Sequence, residues 1–277
     1  MLVFLISRTA TASNRVRDDV CRILRLGQNY QFFRSTANRP NLNYTVRQKH
    51  DNKDKVTDDM ALYIKKYHFN ESGIVYTFSK KDADNVADSL TERGIVSASY
   101  HSDVSTKRKT EIHRSWMNNH CQVVVATIAF GLGINKPDVR FVLHHTLSKS
   151  LEGYYQESGR AGRDGNKANC VLYFSSKDVP RMICMIHGDN GEPAFWSMVR
   201  YGLAIGKDSL YRSMLLKCLG EEDKCIEKPE IMGISRNVTK HCVTVTELVI
   251  HMYSKGDDVT LNQLVTLWRA KRDVLPW

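Results

Sequence analysis

The stretch Gln122 to Thr127, Gln-Val-Val-Val-Ala-Thr, decides the fold class because it is nearly all apolar. A short run of this kind, rich in valine, is typical of a β-strand that is buried on both faces. Sheets covered on both faces are mostly parallel, since the helices that connect their strands pack on either side. The stretch therefore predicts a parallel sheet with helices on both faces.

Alternating strand and helix patterns extend on both sides of this run. Further strands are predicted over Gly73 to Phe78, Val96 to Tyr100, Val139 to His144 and Cys170 to Phe174. Ser79 and Ser105 stand where helix N-caps are expected, and Gly94 is expected to end the helix that Ser79 begins. Another helix is predicted from about Leu151. Strands that alternate with helices in this way predict right-handed βαβ units, hence an α/β fold.

A second informative stretch, Tyr154 to Gly165, reads Tyr-Tyr-Gln-Glu-Ser-Gly-Arg-Ala-Gly-Arg-Asp-Gly. It sets Arg160 and Arg163 three residues apart. Arginine stays charged, and its planar fork binds phosphate oxygens in pairs. Gly159 and Gly162 let the backbone turn sharply or approach a ligand closely. The stretch indicates a polyanion site, the alternative being a glycine-rich helix end whose arginines point into solvent.

Parallel sheets bind ligands beyond the carboxyl ends of their strands. Ser79, His101, Thr127 and the Gly131 to Asn135 loop are expected at that edge. The segment that contains Arg160 and Arg163 precedes the last strand, and we expect it to approach the same edge from its helix. The sequence thus predicts one edge at which all these residues gather.

With these blocks in view, the chain resembles the second RecA-type lobe of superfamily 2 helicases and, within that group, the RecQ family of DNA helicases, particularly its animal members. Ile74 to Asp84, Val123 to His145 and Tyr154 to Gly165 carry the resemblance, which covers about residues 5 to 180. A DEAD-box RNA helicase would read His-Arg-x-Gly-Arg-x-Gly-Arg where this chain has Gln-Glu-Ser-Gly-Arg-Ala-Gly-Arg. The resemblance implies a RecA-like lobe, followed by a mostly helical region, from an ATP-dependent 3′-to-5′ DNA helicase.

The resemblance also implies roles for individual residues. Arg160 and Arg163, with Gln156 in the same motif, would be the catalytic residues that face the ATP γ-phosphate as arginine fingers. Asn135 and Gly133, together with the two arginines, would contact the nucleotide; Asn135 stands where aspartate is commonest in the family. The implied DNA-binding residues are Ser79, Lys80, His101, Thr127 and Phe130.

The resemblance implies ATP and Mg²⁺ as cofactors, held mainly by a first lobe. Such a lobe carries a Gly-x-x-x-x-Gly-Lys-Ser/Thr phosphate loop and an acidic box for Mg²⁺. Neither occurs in this sequence. The nearest match, Gly202 to Ser209, is one residue short and has Asp208 in place of the metal-binding hydroxyl. We therefore expect a fragment that does not hydrolyse ATP by itself.

Four regions are expected along the chain. They are a remnant of the first lobe with the inter-lobe linker at 1–42, the second lobe at 43–178, a helical region with a degenerate zinc module at 179–242, and the start of a winged-helix domain at 243–277. For Leu2 to Ala12 a signal peptide is the competing interpretation, but its apolar run is short and no basic residue precedes it.

Zinc binding is not expected, and no metal ligand is predicted. The resemblance implies a module with four cysteine ligands, whereas Tyr211 stands where the first ligand is expected. Cys225 lies near the second position, but Ile226 to Ile231 supply no further thiol. Cys218 and Cys242 do not restore the spacing.

Composition agrees with a nucleic-acid partner. The net charge of +10 favours a polyanion, which the resemblance implies to be single-stranded DNA or a forked duplex, although a solvated basic surface is the alternative. No apolar run approaches the roughly 20 residues of a membrane span. Seven irregularly spaced cysteines indicate a reducing compartment. The resemblance implies a nuclear location. A non-catalytic nucleic-acid-binding module is the second hypothesis for function.

Overall fold

The computed structural model describes residues 14–26, 30–127, 135–186, 191–206 and 208–221. The elements in these residues are α1 (Asn14–Ile23), β1 (Leu42–Gln48), α2 (Lys53–Tyr67), β2 (Gly73–Tyr76), α3 (Lys80–Glu92), β3 (Ser97–Tyr100), α4 (Thr106–Met117), β4 (Val123–Ala126), β5 (Phe141–His144), α5 (Leu151–Ser158), β6 (Ala168–Phe174), α6 (Asp178–Ile186), α7 (Glu192–Leu203) and α8 (Asp208–Cys218). The chain divides into two compact units, Met1–Glu227 and Lys228–Trp277, and all described residues belong to the first.

All strands of the described sheet pair in parallel, in the order β1-β6-β5-β2-β4-β3. Tyr76 at the end of β2 lies opposite Ala126 of β4 and His144 of β5, so these three strands end level with one another. The predicted parallel α/β sheet is therefore confirmed. The predicted strand stretches contain β2 to β5, whereas β6 begins at Ala168, two residues before its predicted start.

Two helix caps also form where the sequence predicts them. The Ser79 Oγ accepts a hydrogen bond from the Asp82 N–H at 3.1 Å and begins α3. The Ser105 Oγ accepts one from the Arg108 N–H at 3.3 Å and begins α4. Each cap satisfies a backbone donor that a helix start would otherwise leave unpaired.

The edge strand β1 was not predicted. It pairs with β6 along its whole length, from Leu42 opposite Ala168 to Gln48 opposite Phe174. Alternate side chains are buried, namely Leu42, Tyr44 and Val46. This period of two is the strand signal that the sequence Leu-Asn-Tyr-Thr-Val-Arg carries, interrupted by polar residues on the outer face.

The core lies on both faces of the sheet because alternate residues of each buried strand point to opposite sides. In β4, Val124 and Ala126 join one hydrophobic cluster, and Val123 and Val125 join the other. The first cluster includes buried residues of α4 to α8, and the second includes those of α2 and α3. The predicted helices on both faces are thus confirmed.

A row of aromatic rings joins the helical region after the sheet to the sheet itself. Ring centroids of Tyr44 and Tyr154 are 6.2 Å apart, those of Tyr154 and Tyr201 are 5.2 Å apart, and those of Tyr201 and Tyr211 are 5.0 Å apart. The Tyr211 hydroxyl donates to the Ala204 carbonyl at 2.7 Å. Tyr211, at the position where the resemblance expects a zinc ligand, is therefore a buried core residue.

Several predictions from the sequence lie outside the described residues. They concern Leu2 to Ala12, Phe130, Gly133, Cys225, Cys242 and the segment 243–277. Among the residues that are described, no helix has the length and apolar character needed to cross a membrane. The predicted domain boundaries stay predictions.

Candidate functional site

The segment that carries the two arginines lies at the amino ends of β5 and β6. The Gly162 N–H donates to the Val139 carbonyl at 2.9 Å, and the Asp164 N–H donates to the Pro137 carbonyl at 3.3 Å. Val139 and Pro137 precede β5. The backbone of this segment therefore does not lie at the carboxyl edge, where it was predicted, because α5 runs back across the sheet from the end of β5 before the segment begins. The Arg160 side chain nevertheless reaches Tyr76, the last residue of β2.

Arg163 and Asn135 meet beside this segment, whereas Asn135 was predicted to lie at the carboxyl edge with the rest of its loop. The Arg163 Nη1 donates to the Asn135 Oδ1 at 3.2 Å. Burial lowers the pKa of Arg163, and the positive charges of Arg160 and Arg39 lower it further. Arg160 lies beside the Tyr76 hydroxyl. Burial raises the pKa of that hydroxyl well above its usual value, while the positive charge of Arg160 lowers it. Three cations therefore gather here, an arrangement that attracts an anion.

The turn between the two arginines needs glycine. Gly162 has a φ of +56°, in the left-handed region that other residues rarely adopt. A Cβ there would lie 2.6 Å from the Asn41 Nδ2 and 2.7 Å from the Asn166 carbonyl oxygen. The glycine thus fixes both the direction of the turn and its close packing.

An ion pair holds the end of the segment. The Arg140 Nη2 donates to both carboxylate oxygens of Asp164 at 2.7 Å, and the Arg140 Nη1 donates to the Lys167 carbonyl at 3.1 Å. The hydrogen bond from Arg140 holds the pKa of Asp164 at about 2. Asp164, which directly follows Arg163, is therefore ionised at neutral pH and is held in place by Arg140.

Glu157 holds the beginning of the segment, a role that the sequence did not predict. It is buried in α5, and its Oε2 lies 2.8 Å from the His144 Nε2 and accepts a hydrogen bond from the Ser148 Oγ at 2.6 Å. These contacts fasten α5 to the carboxyl end of β5. A glutamate at a helix position that faces the sheet is the signal that could have identified it. Its neighbour Gln156 is exposed on α5.

The residues predicted to bind DNA gather at the opposite edge. Ser79 and Lys80 follow β2, His101 follows β3, and Thr127 follows β4. Since these strands are parallel neighbours, the four residues share the carboxyl edge of the sheet. The predicted placement of the described members is therefore correct, whereas their role in binding DNA stays a prediction.

Acidic partners hold these side chains. The Lys80 Nζ lies 2.7 Å from the Asp103 Oδ1, and half of the Lys80 side chain is exposed. The buried His101 has its Nε2 2.9 Å from the Asp84 Oδ1. Partial burial acts to raise the pKa of Asp84, but hydrogen bonds from Ser99 and His101 bring it below the usual value. An exposed pair such as Lys80 with Asp103 is worth little and is readily exchanged for another anion.

Neither Mg²⁺ nor zinc fits the described residues as a protein-held ion. Across the described ranges, no group of three or more His, Cys, Asp or Glu side chains could hold a metal. The two carboxylates of the Tyr154 to Gly165 stretch are engaged, Asp164 by Arg140 and Glu157 by His144 and Ser148. The amino edge therefore suits phosphate oxygens rather than a cation.

Comparison with curated proteins identifies relatives over nearly the whole chain. The sequence model for the helicase conserved C-terminal domain matches residues 52–165. ATP-dependent DNA helicase Q-like 2 of Arabidopsis thaliana is 41% identical over 96% of this chain and 39% of its own length. ATP-dependent DNA helicase Q1 of Mus musculus is 39% identical over 96% of this chain and 42% of its own length. The chain thus spans about two fifths of these relatives.

Comparison with solved structures supports the fold alone. A structure of S. cerevisiae Dbp5 bound to RNA and ADP BeF3 matches with a TM-score of 0.53 at 16% identity, covering 76% of this chain and 54% of that one. A second Dbp5 structure, the L327V variant bound to Gle1 H337R and IP6, matches with a TM-score of 0.51 at 18% identity. Both are consistent with a RecA-like C-terminal lobe.

Proposed function

Because the chain belongs to the RecQ family of helicases, we propose that it acts as the second RecA-like lobe of an ATP-dependent helicase that moves 3′ to 5′ on DNA. The observation that carries the proposal is the division of the candidate site between two ends of one sheet. The backbone of the turn that carries Arg160 and Arg163 lies at the amino ends of β5 and β6, with Asn135 bonded to Arg163, and the strand-following residues with Lys80 lie at the carboxyl edge. The proposed setting is DNA repair and recombination in the nucleus.

At the amino edge, Arg160 and Arg163 would bind oxygens of the ATP γ-phosphate presented by a first lobe. Guanidinium groups there stabilise the charge of the transferred phosphoryl group and contribute about 10³- to 10⁵-fold in rate in related mechanisms. Arg163 remains charged despite its lowered pKa, since a guanidinium is not deprotonated in a protein at neutral pH. The glycine turn at Gly162 and the Arg140–Asp164 pair keep the segment in one geometry, which such a contact requires.

At the carboxyl edge, the Ser79 hydroxyl, the Lys80 ammonium and Thr127 would contact phosphates of one DNA strand. The short, fully buried strands β2, β4 and β5 connect this edge to the arginines. A rigid connection of this kind would let closure of the two lobes on ATP move the DNA-contacting residues as one body.

Replacing Lys80 with alanine is expected to weaken binding of fluorescein-labelled single-stranded DNA by about three- to tenfold, because one phosphate contact is lost. Fluorescence anisotropy over a series of salt concentrations measures the affinity for this DNA. The control Lys65→Ala removes the same charge from the exposed end of α2, away from the carboxyl edge, and should bind as wild type. Equal weakening in both variants, or none in Lys80→Ala, would refute DNA binding at this edge.

The chain by itself is expected to release no phosphate from ATP, with or without single-stranded DNA. Its sequence lacks the phosphate loop and acidic box that hold the nucleotide and its metal. A malachite-green assay measures the release. Phosphate release that disappears in Arg163→Ala would show that the chain hydrolyses ATP and would disprove the prediction.

A non-catalytic nucleic-acid-binding module is the second candidate. The same lack of a phosphate loop, together with the net charge of +10, favours it. Such a module would bind DNA through Lys80 but would have no use for the arginine segment. Binding of a triphosphate through Arg160 and Arg163 therefore distinguishes the two functions.

A further inference from the structure

The segment 34–42, which leads into β1, is held on one side by α8. The Arg212 Nη1 donates to the Asn38 Oδ1 at 2.9 Å and to the Arg39 carbonyl at 2.7 Å, and the Arg212 Nη2 donates to the Leu42 carbonyl. Just beyond the helix, the Glu221 carboxylate accepts hydrogen bonds from the Thr36 hydroxyl at 2.9 Å and from the backbone of the next residue. One guanidinium and one carboxylate therefore fix most of the segment.

The other side of the same segment holds the arginine turn. The Arg39 Nη2 donates to the Ala161 carbonyl at 3.2 Å and to the Gly162 carbonyl at 2.7 Å. The Asn41 Nδ2 donates to the Gly162 and Asn166 carbonyls, each at 2.9 Å. The Ala161 and Gly162 carbonyls belong to the turn between Arg160 and Arg163, and Asn166 follows that turn, so the segment is bonded directly to the backbone that carries the two arginines.

The helix that supports this arrangement is itself well anchored. Tyr211, Leu215 and Leu216 of α8 are buried, and Tyr211 belongs to the aromatic row that reaches α5. The Arg212 guanidinium lies over the Tyr44 ring, 5.8 Å from its centroid, so it is fixed against β1 as well. Contacts run without a gap from α8 through Arg212 and Arg39 to the arginine turn.

We propose that Arg39 is a positioning residue for the turn that carries Arg160 and Arg163, and that Arg212 of α8 holds Arg39 in place. The helical region after the sheet thereby sets the geometry of the phosphate-facing arginines. The inference rests on the proposed function in one respect, namely that Arg160 and Arg163 bind a phosphate. The positioning itself follows from the hydrogen bonds, and it gives α8 a role unrelated to zinc.

Hydrogen exchange of the full 277-residue chain, measured by mass spectrometry, tests the proposal directly. In Arg212→Ala we expect about tenfold faster exchange in peptides covering 36–42 and 159–166, with the sheet core at 74–76 and 123–126 unchanged. Arg212→Lys should behave similarly, since the single ammonium group of lysine cannot donate to the three oxygens of Asn38, Arg39 and Leu42 that the planar guanidinium reaches. The matched control Lys217→Ala removes an exposed charge from the same helix and should exchange as wild type.

A second readout is the affinity for inorganic tripolyphosphate, expected to fall about tenfold in Arg212→Ala. Unchanged exchange at 159–166 in that variant overturns the proposal. If Arg212→Ala also accelerates exchange in the sheet core, the variant Arg39→Gln decides the matter, because it leaves α8 intact. Faster exchange at 159–166 alone in Arg39→Gln supports the positioning role. Wild-type exchange at 159–166 in Arg39→Gln overturns the proposal. Accelerated exchange in a chain whose wild type binds no tripolyphosphate would leave the positioning role standing and refute the proposed function.

Discussion

Replacing Gly73 with alanine is expected to lower the free energy of unfolding by about 3 kcal/mol or more. A Cβ at this position would lie 2.0 Å from the Phe141 Cε2. Phe141 sits opposite Gly73 in the sheet, is fully buried, and packs against the His68 ring at 4.8 Å. The backbone of Gly73 is also fixed, since its carbonyl accepts a hydrogen bond from the buried Trp116 Nε1 at 3.2 Å. Moving either Gly73 or Phe141 to make room for the methyl group would therefore break contacts in the core.

Urea denaturation followed by circular dichroism measures this change. Gly153→Ala is the control, because its Cβ would meet nothing closer than the Ser150 Oγ at 3.5 Å. It lies in α5, where alanine is the better helix former, so that variant should be neutral or slightly more stable. Adding Phe141→Leu to Gly73→Ala should recover part of the lost stability. A Gly73→Ala variant as stable as wild type would show that the sheet accommodates the methyl group by moving.

The buried strands could be predicted from the sequence because burial on both faces leaves a continuous apolar run. Val123 to Ala126 is the clearest case, and each of its residues is fully buried in the structure. The edge strand β1 was not predicted because Asn43 and Arg47 alternate with its apolar residues, and its first residue, Leu42, was assigned to the segment expected to link two lobes. A half-exposed strand carries a weaker signal than a buried one.

The carboxyl-edge residues could be placed from sequence because each follows a parallel strand directly. The arginine segment could not be placed by that rule, since α5 lies between β5 and the segment and reverses the chain direction. Contacts of Arg39 and Arg212 with distant parts of the chain left no local signal at all. Local patterns thus located the elements, whereas the support of the site depends on contacts between elements far apart in sequence.

Removing Arg163 is expected to weaken tripolyphosphate binding by about tenfold, and removing Arg160 as well by about 100-fold or more. Each guanidinium offers paired hydrogen bonds to phosphate oxygens. Burial lowers the pKa of Arg163, and the nearby charge of Arg160 lowers it further. An anion that binds between them relieves that repulsion. Isothermal titration calorimetry at low ionic strength measures the affinity, since salt screens such contacts.

Arg108→Ala is the matched control, because Arg108 is an exposed arginine of α4 paired with Glu111 at 3.3 Å. Its loss should leave tripolyphosphate binding unchanged. Arg163→Lys should bind with intermediate affinity, since a lysine keeps the charge but loses the planar fork. Equal weakening by Arg108→Ala and Arg163→Ala would mean that net charge alone attracts the anion. That outcome would favour the nucleic-acid-binding module, because a helicase lobe requires these two arginines to act differently from the other cations on its surface.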